Sequence, residues 1–249
     1  MVTHALFLLF VAIAVYAQNL TGFALALILL GLVGVTDLVP LTDAVNAVTV
    51  MILVNAATFL QRRWPLQLER ALWPAVAASL LGAVAGVALL TWRVGVAYQF
   101  VRLLLGVSIV ACAFMLWRSV QPLQAVSPRR AFVMVGGVSG VLGGLCSAAG
   151  PPLVYLLYRQ PWRIERFQEA LILFFGAGAA LRLAIVAATG QFSANAMWLA
   201  VESVPVVFLV TRFAAGRPAP LPREVLKDLV CALLLVAGAG TVGAALSAL

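Results

Sequence analysis

Apolar runs long enough to cross a lipid bilayer follow one another along almost the whole chain, and no other feature of the sequence leaves so few folds open. Crossing the hydrocarbon core as a helix takes about 20 predominantly apolar residues, and such runs occupy residues 41–60, 71–92, 97–117, 167–189, 196–213 and 228–248. With 64% of 249 residues hydrophobic and 10% charged, the chain has too little polar surface to enclose a water-soluble core. Helices satisfy every backbone polar group internally, which lipid cannot do. The expected class is an all-α polytopic membrane protein whose constant partner is the lipid bilayer.

Two further apolar regions, residues 3–36 and 131–158, are interrupted. The first is broken by Gln18-Asn19-Leu20-Thr21-Gly22, the second by the run from Gly143 to Pro152. Glycine and proline at membrane depth free backbone groups that only protein or a water-filled cavity can satisfy, so both regions are expected to be broken helices. Met1–Ala17 lacks the basic start of a secretory leader and continues into more apolar sequence, so it is expected to remain in the mature chain.

The 16 Lys and Arg against 8 Asp and Glu give a net charge of +8. Basic residues of membrane proteins gather in cytoplasmic loops, and no dense basic run with interleaved aromatics points to nucleic acid. If each interrupted region crossed once, the basic residues would be divided between the two faces. If each enters and leaves on the same face, every basic residue except Arg93, Arg102 and Arg182 falls on one side. That parity predicts two inverted repeats, each a broken or re-entrant segment followed by three transmembrane helices. Residues 1–120 form the first repeat, 121–130 a cytoplasmic linker and 131–249 the second, with both termini outside the cytoplasm. Faint internal matches pair Gly22 with Gly140, Trp73–Val76 with Trp198–Val201, and Arg102 with Lys227. Inverted repeats are a transporter architecture, and the expected location is the cell membrane, the inner membrane of a bacterium. The oligomeric state is left open.

Cys112, Cys146 and Cys231 lie far apart in apolar sequence and His4 is the only histidine. Neither a disulfide framework, a metal site nor a cofactor is expected from such a set, and no nucleophile–base pair can be assembled for an enzyme.

The run Gly137–Pro152, Gly-Val-Ser-Gly-Val-Leu-Gly-Gly-Leu-Cys-Ser-Ala-Ala-Gly-Pro-Pro, resembles the glycine-rich signature that opens each half of the sulfite exporter TauE/SafE family. Gly22-Phe23 followed by Pro40 holds the equivalent place in the first half, and Ala44–Thr58 is similar to the family's next helix. The likeness covers nearly the whole chain, although residues 24–39 lack the clustered glycines usual there. It implies a secondary carrier of sulfite, thiosulfate, organosulfonates or related small anions, working by alternating access with or without a proton as coupling ion.

An anion carrier needs hydrogen-bond donors, and half-helix N-termini supply them with a positive dipole end. Gly143, Gly144, Ser147 and Gly150 suit that role, with Cys146 as a further lining residue; close helix packing is the competing reading for the glycines and simple burial for the thiol. In the first repeat Gln18, Asn19, Thr21 and Gly22 form the matching group, where Asn19 either contacts substrate or caps a half-helix. Substrate is expected between the two broken segments. Asn46, Thr49, Asn55 and Thr58 make a polar stripe on one helix, which either lines the path or bonds neighbouring helices.

Arg182 lies seven residues before Thr189, too deep for a loop charge, and Glu202 lies at a matching depth on the next helix. Intramembrane charge marks function. The two are expected to pair, either structurally or with Arg182 attracting the anion and Glu202 carrying a coupling proton. Asp37 and Asp43 are expected to be solvated caps; in a rival reading they and Glu202 serve a cation carrier or channel. A non-transporting membrane scaffold or assembly factor, with no central site, is the other alternative.

Overall fold

The computed structural model describes residues 2–66, 68–92, 97–118, 123–146, 150–214 and 223–246. These residues form ten α-helices and no strand: α1 (Val2–Thr21), α2 (Ala24–Thr36), α3 (Leu41–Arg62), α4 (Trp73–Trp92), α5 (Ala97–Trp117), α6 (Arg129–Cys146), α7 (Gly150–Tyr158), α8 (Ile164–Ala188), α9 (Ala194–Ala214) and α10 (Arg223–Leu246). Each uninterrupted apolar run becomes one helix, and each interrupted region becomes two. Five helical stretches, Thr3–Thr21, Leu41–Arg62, Arg70–Leu89, Glu165–Ala188 and Ala194–Ala214, are long and apolar enough to cross a membrane. The chain is a multi-pass helical membrane protein.

The breaks follow from local chemistry. Gly22 has φ of +88°, a conformation that side-chain-bearing residues avoid, and a Cβ there would stand 3.3 Å from the Gln168 Cα. At the second break α7 opens with Gly150-Pro151-Pro152, prolines sitting in the first turn where their missing N–H groups are not needed. Gly140, matched with Gly22 by sequence, lies within α6 and not at a break. Arg93, Ser147 and Arg217 lie outside the described residues.

Helix α2 is apolar on all sides and buried from Ala24 to Leu30, the pattern of a helix surrounded by protein. It packs against α1, α3, α5 and α10. Helix α3 packs against both α8 and α9. The loops gather at two ends. At one, Leu123 N–H donates to the Arg159 carbonyl (2.7 Å), Ser127 bonds Gln160, and Arg166 pairs with Glu69. At the other, Asp43 accepts from Ser193 Oγ (2.7 Å) and Asn195 Nδ2 (3.0 Å).

Two helix pairs frame the bundle. In α4–α6, Gly136 lies on Ala75, Gly140 on Ser79 and Gly144 on Ala83, so that a Cβ on any of these glycines would overlap the facing carbonyl oxygen. The four-residue step on each helix shows that the pair runs parallel. In α1–α9, His4 meets Glu202 and Asn19 meets Thr211, again a parallel pairing.

Candidate functional site

A buried polar cluster centres on Arg182, which is 4% exposed on α8. Its Nη1 donates to Asn46 Oδ1 (3.1 Å) and Thr49 Oγ1 (3.0 Å), both on α3, and its Nε to the Gly144 carbonyl (3.4 Å) near the end of α6. Asn46 Nδ2 in turn donates to the Gln191 carbonyl in the α8–α9 turn (3.1 Å). These oxygens orient the guanidinium.

Arg182 lines a small, partly open cavity of about 40 Å³ between α3, α4, α6 and α8. Helix α8 gives it Phe174, Phe175, Gly178, Ala179 and Arg182; α6 gives Gly140 and Gly143; α4 gives Ser79 and Ala83; α3 gives Ile52. From Phe174 to Arg182 the α8 wall is about 12 Å long at 1.5 Å per residue. Ser79 Oγ turns back to the Val76 carbonyl of its own helix (2.8 Å), so the guanidinium is the strongest polar feature of an otherwise apolar chamber. Helix glycines and alanines make the space, because α4 and α6 approach at backbone contact and leave no side chains to fill it.

The residues singled out from sequence separate into three groups. Arg182 and Gly143 line the cavity, and Asn46 and Gly144 hydrogen-bond Arg182. Gly144 also serves packing against α4. Cys146 closes α6 and Gly150 opens α7 just beyond.

Gln18, Thr21 and Gly22 are consumed at the first break itself. Gln18 Oε1 accepts the Leu25 N–H of α2 (2.9 Å), its Nε2 donates to the Gly22 carbonyl (3.3 Å), and Thr21 Oγ1 donates to the Ala17 carbonyl (2.8 Å). Gln168 closes the seam by donating to the Leu20 carbonyl (2.7 Å). The capping residue is Gln18, not Asn19. Gln168 stands about 21 Å from Arg182 along α8 at 1.5 Å per residue.

Asn19 and Asn55 belong to a third cluster with Thr211. Asn55 Nδ2 donates to Thr211 Oγ1 (2.8 Å), Asn19 Nδ2 to Thr211 Oγ1 (3.3 Å) and to the Val15 carbonyl (2.8 Å). The polar stripe of α3 thus divides its work: Asn46 and Thr49 hold Arg182, Asn55 bonds α1 and α9, and Thr58 bonds its own Val54 carbonyl (2.7 Å).

The expected Arg182–Glu202 pair does not form. Glu202 Oε2 accepts from His4 Nδ1 (2.8 Å) at the start of α1, and α3 stands between the helices that carry the two charges. Asp43 is not a free cap but clasps the α8–α9 turn through Ser193 and Asn195. The residues that sequence reasoning passed over are Phe174, Phe175 and Gly178, with Ser79 and Gln168. Their signal was the three- and four-residue spacing that puts 174, 175, 178, 179 and 182 on one face of α8.

Membrane-crossing helices with two interrupted pairs, arranged about a buried cation and a cavity, define a membrane transporter. The chain belongs to the sulfite exporter TauE/SafE family, whose model matches residues 6–241. It is 31% identical over 237 residues to the probable sulfite/organosulfonate exporter TauE of Cupriavidus necator, a match that covers 94% of this chain and 91% of that protein. No solved structure matches the chain. Family membership makes it a transporter rather than an enzyme.

Proposed function

We propose that the protein carries a small sulfur oxyanion, sulfite or an organosulfonate, across the inner membrane of a bacterium by alternating access, with the anionic head held at Arg182. The observation that carries this reading is a buried guanidinium that lines a cavity. Charge inside the membrane marks substrate pathways, and a guanidinium is a strong hydrogen-bonding partner for an oxyanion.

The topology behind this reading is a pair of inverted repeats, α1–α5 and α6–α10, with both termini outside. Several observations support it. Exchanging the repeats turns the parallel pair α4–α6 into the parallel pair α9–α1, while α3 and α8 run antiparallel, Thr49 lying by Arg182 and Ala56 by Gly176. The ends of α6 and α7 lie beside one another through the loop bonds of Leu123 and Ser127. Proton coupling is assigned to Glu202 together with its partner His4.

The test is efflux of sulfite and of methanesulfonate from proteoliposomes. Arg182→Gln is expected to reduce transport of both by at least about 100-fold, the range for loss of a buried charge contact worth about 3 kcal/mol, whereas Arg182→Lys retains part of it. Glu202→Gln is expected to remove the dependence on an imposed proton gradient. Full transport by Arg182→Gln would overturn the assignment of the head-group site.

A further inference from the structure

The cavity wall is mostly apolar, and Gly178 in that wall has no packing reason to be glycine. Glycine in a helix interior is destabilising relative to alanine, so each one asks for a cause. In α8, Gly176 has its cause: a Cβ there would come within 2.9 Å of the Ala56 Cβ. In α6, Gly140 is held against the main chain of Ser79. Gly178 differs, because a Cβ added there meets nothing within 4 Å. The space it would occupy is the cavity, which Gly178 lines between Arg182 at one end and Phe174 and Phe175 at the other. The two phenyl rings meet edge to face, with centroids 5.8 Å apart and planes at 88°, and form an apolar end wall.

From this geometry we infer that Gly178 determines the tail of the transported anion: the chamber takes an aliphatic sulfonate with an uncharged tail, whose head lies on Arg182 and whose tail runs past Gly178 to Phe174 and Phe175. This rests on the head-group site proposed above and adds the residue that selects among substrates. Ile52, Ala83 and Ala179 complete an apolar sleeve around the tail, and among the described residues that line the cavity there is no carboxylate to receive an ammonium group. Burial of each methylene should tighten binding about fourfold, the equivalent of about 0.8 kcal/mol. A side chain at position 178 would take that space from the tail and leave the head-group contacts at Arg182, one helical turn away.

The experiment titrates the purified full-length protein with methanesulfonate, propane-1-sulfonate and 2-aminoethanesulfonate, following binding by thermal shift and calorimetry. In the parent, propane-1-sulfonate should bind about fifteenfold more tightly than methanesulfonate, as expected for two buried methylenes. It should also exceed its isostere 2-aminoethanesulfonate by at least about tenfold, since an ammonium group would be desolvated without a partner. Gly178→Val should bring the propane-to-methane ratio to about threefold or less. Gly178→Ala, which favours the helix and so guards against a folding failure, should lower the ratio by at least about threefold. A parent ratio near one, a ratio unchanged in either variant, or equal binding of the ammonium-bearing isostere would overturn the inference while leaving the head-group site in place. No binding of any of these anions by the parent, or undiminished methanesulfonate binding by Arg182→Gln, would overturn the head-group site and the inference with it.

Discussion

The pairs α4–α6 and α1–α9 are both parallel and are held together by different physics. In α4–α6 the main chains touch along Ala75, Ser79 and Ala83 on one side and Gly136, Gly140 and Gly144 on the other. Lipid gives no hydrophobic drive for helices to associate, so such small-residue seams rely on close van der Waals contact. In α1–α9 side chains make the junction instead, His4 with Glu202 at one end and Asn19 with Thr211 and Asn55 deeper in. A main-chain seam has one register and tolerates no added atom. A polar junction can lose one bond and re-form it elsewhere.

The contrast breaks first at Gly140. Gly140→Leu would drive a side chain into the Ser79 main chain and is expected to destabilise the protein by about 3 kcal/mol or more, read as loss of the folded species in reversible unfolding from mixed micelles. Next comes Thr211→Val, which keeps the shape but removes the acceptor shared by Asn19 and Asn55. Its expected cost is about 1 kcal/mol, because hydrogen bonds between membrane helices contribute modestly, and a loss as large as that of Gly140→Leu would erase the distinction between the two seams. Smallest is the His4–Glu202 contact, whose side chains are 48% and 24% exposed. A double-mutant cycle through His4→Gln and Glu202→Gln should return about 0.2–1 kcal/mol of coupling.

The helices were legible in the sequence because bilayer thickness sets a length that apolar runs either meet or do not. The run at residues 97–117 becomes α5 with the same limits, and the run at 41–60 differs from α3 by two residues. The broken segments were legible through Gly22 and through Gly150-Pro151-Pro152, since those residues act on the local backbone. The Arg182–Glu202 pairing failed for a different reason. Position along two helices gives relative depth, but not which helices adjoin, and α3 intervenes. Asn19 likewise resembled a cap by sequence position, while Gln18, one residue earlier, had the reach to accept from Leu25 across the turn. The cavity was the least legible element, since it arises from what glycine and alanine on three helices leave empty. Only Arg182, conspicuous as a charge at depth, marked its position in advance.

The seam between Gly140 and Ser79 also bears on how the molecule can move. Helix α4 is drawn from the first half of the sequence and α6 from the second, and their main chains meet at Ala75, Ser79 and Ala83. Under the alternating access proposed above, a seam with no room for an added atom keeps these two helices in one moving part, so that part draws on both halves of the sequence.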